Sequence, residues 1–173
     1  QLLNFIRRGL ENIKLKKENV QLENKSFHSF DFIGESHQVI KIKKLISKLS
    51  STDSRILISG PTGSGKELVA RKIHKNSQRK KEPFVVLNGA LLQPDNYEKE
   101  FFGSENKDGS ISYGFLEKAK RGTLLIDEVS EIPLDTQAKI LRVLMDQKFK
   151  RINGKEDIVV NVRIVSSTSK DLK

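Results

Sequence analysis

The chain has 173 residues, 36% of them hydrophobic, no cysteine, and 32 Lys and Arg against 22 Asp and Glu, for a formal net charge of +10. That is enough apolar material for one packed core, but no run approaches the ~18 apolar residues of a transmembrane helix. The lack of cysteine excludes disulfides and thiolate metal sites, and His28, His37 and His74 have no metal-ligand spacing. The lysines are spread along the chain without interleaved aromatics, so the charge reads as a solvated surface, and nothing resembles a recognition helix-turn-helix. The first residues, Gln1-Leu2-Leu3-Asn4-Phe5-Ile6-Arg7-Arg8, lack the basic, apolar and small-residue succession of a secretory signal. A cytoplasmic location is expected, with no membrane partner.

Residues 1–25 carry Leu3, Ile6, Leu10, Ile13 and Val20 at three- and four-residue steps, a short heptad seam interrupted by Lys17. This predicts a helix that is either a dimerising coiled coil or a simple connector. Polar residues take over around Asn24-Lys25-Ser26-Phe27-His28-Ser29, and a domain spanning 30–173 is expected after them. Helical spacing resumes over 36–50 through Val39, Ile42, Leu45, Ile46 and Leu49, with Ser36 as N-cap. Residues 55–59 read as a strand.

Next comes Gly60-Pro61-Thr62-Gly63-Ser64-Gly65-Lys66-Glu67, between an apolar run and a helix-like segment over 68–76. A strand, a glycine loop with the spacing G-x-x-x-x-G-K and a helix form a phosphate-binding loop. The glycines permit positive φ and close approach, the new helix points its N-terminal donors at the anion, and Lys66 reaches the phosphates as a point charge. Glu67 stands where the general motif has a magnesium-ligating Ser or Thr. Its carboxylate can face metal, water or neither.

Phe84-Val85-Val86-Leu87-Asn88 reads as a buried strand with a polar end. A short helix is expected over 94–102, then a glycine- and serine-containing loop over 103–114. Thr123-Leu124-Leu125-Ile126-Asp127-Glu128 is an apolar run ending in two carboxylates, the form of a Walker B strand. There Asp127 holds magnesium and Glu128 polarises the attacking water. Pro133 opens a helix whose apolar face is read as Leu134, Ala138, Leu141 and Met145 or Leu144. Asn153-Gly154 signals a hairpin between 149–152 and 158–159. The last strand is expected over 160–165, leading into Ser166-Ser167-Thr168-Ser169. Strands alternating with helices predict an α/β fold with a parallel doubly wound sheet. Its carboxyl ends then gather Lys66, Asn88, Asp127, Glu128 and Thr168.

Together these stretches resemble the AAA+ central domain of NtrC-type response regulators, which use ATP to remodel RNA polymerase carrying the sigma-54 factor. The resemblance covers residues 30–173. It rests on Phe32-Ile33-Gly34-Glu35-Ser36, the phosphate loop with Glu67, Phe84–Asn88, Phe102-Gly103, Gly122 through Glu128, Ile132-Pro133-Leu134-Asp135-Thr136-Gln137, Leu141-Arg142-Val143-Leu144, and Val162 through Thr168. It implies a three-layer P-loop AAA+ fold binding ATP and Mg2+. Ile33 and Gly34 would line the adenine pocket, Asn88 would be the switch partner of Glu128, and Thr168 would sense the γ-phosphate.

The resemblance also implies ring hexamers, and a receiver domain upstream of residues 1–25. The family's sigma-contacting Gly-Ala-Phe-Thr-Gly-Ala is replaced by Ser-Glu-Asn-Lys-Asp-Gly-Ser-Ile-Ser-Tyr over 104–113. NtrX-like members are similar in lacking it, and the sequence is read as one of these, with no obvious group to engage the sigma factor. The family's arginine fingers, last core strand, helical lid and DNA-binding segment fall beyond the point matching Lys173. An incomplete subdomain is therefore expected, with 55–59 as an exposed sheet edge, reduced stability and weak turnover, since an arginine finger is worth about 10³–10⁵ in rate. The function expected is an ATP-binding and ATP-hydrolysing module of a two-component transcriptional regulator. The alternatives are a nucleotide-dependent assembly module in which hydrolysis drives nothing, or an inactive fragment.

Overall fold

A computed structural model describes residues 33–171. The expected linker helix over 1–25 and the boundary near 24–29 lie outside the described residues. Residues 33–36 are described by themselves, and the body runs from His37 onward.

In chain order the body contains α1 (His37–Ser50), β1 (Ile56–Ser59), α2 (Lys66–Lys75), β2 (Phe84–Asn88), α3 (Tyr97–Phe102), β3 (Ser104–Glu105) and β4 (Ile111–Ser112). It continues with α4 (Phe115–Lys118), β5 (Thr123–Asp127), α5 (Leu134–Asp146), β6 (Lys148–Phe149), β7 (Ile158–Val159) and β8 (Arg163–Thr168). Four strands form one parallel sheet in the order β1-β8-β5-β2. Consecutive strands β1 and β2 lie at opposite edges, so the crossover through α2 spans the sheet.

Period-two alternation sorts the strand side chains between two helical layers. Leu125 and Val165 face Ala70 of α2, with Ile56, Ile58, Phe84 and Val86 packed around them. Leu87, Leu124, Ile126 and Ile164 face the other way, into a larger core with Phe101, Phe102, Leu116, Ile140, Val143 and Phe149. The three-layer arrangement expected from the sequence is therefore present. β1 is an edge strand of the described sheet, with Leu57 exposed on its open face.

Several local expectations shift. The segment expected as a helix over 94–102 begins with a 3-10 turn, Pro94–Asn96, before α3. The 103–114 loop is a small hairpin, β3 against β4, whose turn is closed by the Asn106 N–H on the Ser110 carbonyl and by the Gly109 N–H on the Asn106 carbonyl. β6 and β7 pair with a register centred on Asn153-Gly154, as the hairpin signal predicts. The connection is longer than a two-residue turn, and Asn153 takes a positive φ of 62°.

The last strand runs over Arg163–Thr168, three residues later than expected. Ser167 and Thr168 belong in it because their hydroxyls find hydrogen-bond partners while buried, which removes the cost of burying them. α5 buries Thr136, Ile140, Val143 and Leu144, while Leu134, Leu141 and Met145 are exposed. The helix carries two apolar stripes at helical spacing, and contact with the sheet selects the one the sequence reading did not favour. Leu144, its stated alternative to Met145, is the residue that is buried.

Candidate phosphate site at the carboxyl ends of the strands

The loop from Gly60 to Gly65 is pinned at its start by the Gly60 N–H, which donates to the Thr168 carbonyl at 3.2 Å. Gly63 and Gly65 adopt φ of 79° and 85°, a conformation that strains other residues. Gly65 in this left-handed conformation is the N-cap of α2, and its carbonyl accepts the first helical bond from the Val69 N–H. The loop therefore delivers Lys66 to the head of the helix. Lys66 is buried (8% exposed), and its Nζ donates to the carbonyls of Gly60 (3.0 Å) and Pro61 (3.3 Å). Glu67 turns to Arg71 one helical turn on, in an ion pair of 2.7 Å. Of the roles its residue type allows, this geometry is a helix-surface pair, with the Arg71 guanidinium also lying 4.7 Å over the Phe84 ring.

Asp127 closes β5 directly opposite Asn88 in the register with β2. Its Oδ1 accepts from Ser167 Oγ at 2.5 Å and its Oδ2 from Asn88 Nδ2 at 3.4 Å. Glu128 follows in the left-handed conformation, φ 51° and ψ 53°, which breaks the strand and turns its carboxylate back toward the loop. One oxygen lies 3.3 Å from Lys66 Nζ. The other accepts from the N–H and the Oγ of Ser169, both at 2.8 Å. The two donors of Ser169 and the charge of Lys66 hold the Glu128 carboxyl below its ordinary pKa against the opposing effect of burial, with the Ser169 N–H the largest influence. Asn88, expected as the switch partner of Glu128, has its amide on Asp127, and its Oδ1 caps the next turn by accepting from the Ala90 N–H.

Thr168 is fully buried at the end of β8; its hydroxyl donates to Ser130 Oγ at 2.9 Å and accepts from the Lys170 N–H. Lys66, Asn88, Asp127, Glu128 and Thr168 are thus brought to one end of the sheet by four different strands, as predicted. Ser167 and Ser169, which hold the two carboxylates, were missed. Their signal was present as a run of hydroxyls at the end of a strand, but which carboxylate each meets depends on the sheet register. Ile33, exposed, and Gly34, with φ 146°, belong to the stretch 33–36.

Among the described residues no three His, Cys, Asp or Glu side chains gather into a metal cage. The donor set suits magnesium nonetheless. That ion takes one or two carboxylates, water and phosphate oxygens, and Asp127, held by the Ser167 hydroxyl, offers such a hard oxygen at the carboxyl end of β5.

Comparison with known proteins agrees with this geometry. The family model described as the sigma-54 interaction domain matches residues 32–173. The nitrogen assimilation regulatory protein NtrX of Azorhizobium caulinodans is 41% identical over 174 residues, covering 100% of this chain and 38% of the relative. The crystal structure of NtrX from Brucella abortus superposes with a TM-score of 0.81 at 43% identity, over 99% of this chain and 38% of that one. The same Brucella protein solved in complex with ATP gives 0.79 at 43%, over 99% of this chain and 36% of that one. The chain thus spans little more than a third of the length of the proteins it matches. The fold is that of the P-loop AAA+ ATPases, and the chain belongs to the sigma-54 interaction domain family, similar to the NtrX response regulators.

Proposed function

We propose that this chain binds ATP and, in the assembled protein, hydrolyses it, as the nucleotide-dependent module of an NtrX-like transcriptional response regulator. The observation that carries the reading is the meeting of Lys66, at the head of a helix behind a glycine loop, with the Glu128 carboxylate at 3.3 Å, beside Asp127 and Thr168. The Brucella NtrX solved with ATP supports the choice of nucleotide.

In this reading the N–H groups of the loop from Thr62 onward and the head of α2 cradle the phosphates, and Lys66 exchanges its contact with Glu128 for phosphate oxygens. Asp127 is the carboxylate that would hold magnesium, whose chemistry is to neutralise charge on the phosphate oxygens during transfer. Glu128 orients water and takes its proton at a carboxylate oxygen, Asn88 steadies the carboxylate pair from Asp127, and Thr168 reads the terminal phosphate. Self-association into a ring supplies the arginine that completes the site from a neighbour.

A second reading, assembly without sigma-54 remodelling, is favoured by one observation: the segment where sigma-contacting relatives carry their motif is here a short polar hairpin, Ser104–Glu105 against Ile111–Ser112. Among the described residues no helix is long and apolar enough to cross a membrane, which is compatible with a cytoplasmic regulator. Calorimetric titration with Mg-ATP and Mg-ADP tests the main reading. Saturable binding by the chain, lost in Lys66→Ala, is expected. Unchanged affinity in a folded Lys66→Ala protein would reject the loop assignment.

A further inference from the structure

Both oxygens of the Glu128 carboxylate are occupied. One faces Lys66 Nζ at 3.3 Å, and the other receives two hydrogen bonds from a single residue, Ser169, through its backbone N–H and its Oγ at 2.8 Å each. The direction of the carboxylate is therefore decided by its side-chain contacts. Lys66 is equally committed. Its three N–H donors face three acceptors, the carbonyls of Gly60 and Pro61 and the Glu128 carboxylate, which is the full capacity of an ammonium group.

A phosphate anion that takes Lys66 has to displace one of these partners, and the other anion is the one it competes with for charge. Ser169 in turn follows Thr168, the buried residue at the end of β8 whose hydroxyl ties that strand end to Ser130. One peptide unit thus joins the end of β8 to the group that anchors Glu128. We infer that Ser169 is a positioning residue that closes a resting clamp on Glu128 together with Lys66, and that this clamp competes with nucleotide phosphate for the lysine. This rests on the nucleotide-binding reading above. It adds that Ser169, outside the phosphate loop and the acidic strand end, sets nucleotide affinity and the release of Glu128.

The clamp makes an unusual demand of a substitution: it should lower stability and tighten binding at once. The test uses the full chain, with Ser169→Ala, Ser169→Thr, Glu128→Ala and the Ser169→Ala/Glu128→Ala double variant. Each is melted without nucleotide and titrated calorimetrically with Mg-ATP. Losing one exposed hydrogen bond, Ser169→Ala should melt roughly 2–4 °C lower. By depopulating the closed clamp it should bind Mg-ATP roughly fivefold more tightly.

Ser169→Thr, which keeps the hydroxyl, should match the parent in both measurements, and in the Glu128→Ala background Ser169→Ala should change neither. A merely structural serine would lower the melting temperature in either background and leave affinity unchanged or weakened. Parent binding that Ser169→Ala does not tighten, or an equal effect with Glu128 absent, overturns the clamp and leaves the nucleotide reading standing. No Mg-ATP binding by the folded parent chain overturns both.

Discussion

Lys66 illustrates how much a single residue's surroundings decide. The motif places it, and the structure adds that its charge is answered by Glu128 rather than left open to solvent. Glu128→Gln, which keeps the shape and removes the charge, is expected to retain Mg-ATP binding while losing hydrolysis by at least ~10²-fold, as expected for a group handling the proton of the attacking water. Turnover of the intact assembled protein, measured beside calorimetric affinity, checks both halves.

His74 offers a pH prediction at the same scale. It is buried, its Nδ1 lies 2.9 Å from Thr123 Oγ1, and burial pushes its pKa below the ordinary 6.5, assisted by the nearby Arg163, Arg71 and Arg79 and opposed by a hydrogen bond to the Glu82 backbone. The unfolded chain then binds the proton first as pH falls. Stability is full above 6.5 and declines with acidification from 6.5 down toward the folded pKa, by up to about 1.4 kcal/mol per pH unit. Melting temperatures between pH 8 and 5 should show this slope, and His74→Gln should flatten it. Asp53, held low first by its hydrogen bond to Arg79, contributes above the ordinary carboxylate range and loses that contribution only below it, in a separate window.

Among the elements, the two small hairpins depend on each other. Arg151, between β6 and β7, reaches Glu117 of α4 with two hydrogen bonds of 2.7 and 2.8 Å and Glu105 of β3 at 2.9 Å, and lies over the Tyr113 ring. Backbone bonds reinforce the junction: the Glu105 N–H donates to the Ile152 carbonyl, and the Ile152 N–H to that of Gly103. The paired carboxylates keep the guanidinium charged, its pKa raised chiefly by Glu117. Arg151→Ala is expected to cost about 2 kcal/mol, because it strands two largely covered carboxylates. Hydrogen exchange at Glu105 and Ile152 should then speed up more than at β5.

Gly122 marks a tighter junction, where a Cβ would meet the Pro83 carbonyl oxygen at 2.0 Å. That carbonyl accepts the Thr123 N–H at the start of β5, so Gly122→Ala should push β2 and β5 apart at their first pair. An unfolding free energy lowered by about 2–3 kcal/mol in urea titration is the expected result. Neither junction was legible in the sequence. Glu105, Glu117 and Arg151 are distant in the chain, and a lone Gly before a strand reads only as punctuation.

For the whole molecule, nucleotide and fold are linked by mass action. Mg-ATP at 100 times its dissociation constant should stabilise the chain by about 2.7 kcal/mol, and the resulting rise in melting temperature should vanish in Lys66→Ala. The open side of the molecule is equally a property of the whole. Leu57 of β1 and Leu134, Leu141 and Met145 of α5 are exposed, and a groove of about 300 Å³ runs beneath α5, lined by Ile126, Leu141, Leu144 and Ile164. The sequence read the Leu134 stripe as core because hydrophobic spacing reports that a helix has an apolar side, not which of two sides meets the sheet.

The same distinction separates what each level determined. The glycine loop, the lysine and the strand ending in two carboxylates were determined by the sequence alone. Their spacing follows from the local geometry of a strand, a turn and a helix, and local geometry is written in consecutive residues. The tertiary structure decided which partner each charged group meets: Asn88 on Asp127, Ser169 and Lys66 on Glu128, Arg151 on two glutamates. The partners of the two carboxylates follow from the parallel register that sets Thr168 beside Ser59 and Asp127 beside Asn88, and those of Arg151 from the backbone bonds that join the two hairpins; such pairing is a property that no single segment contains.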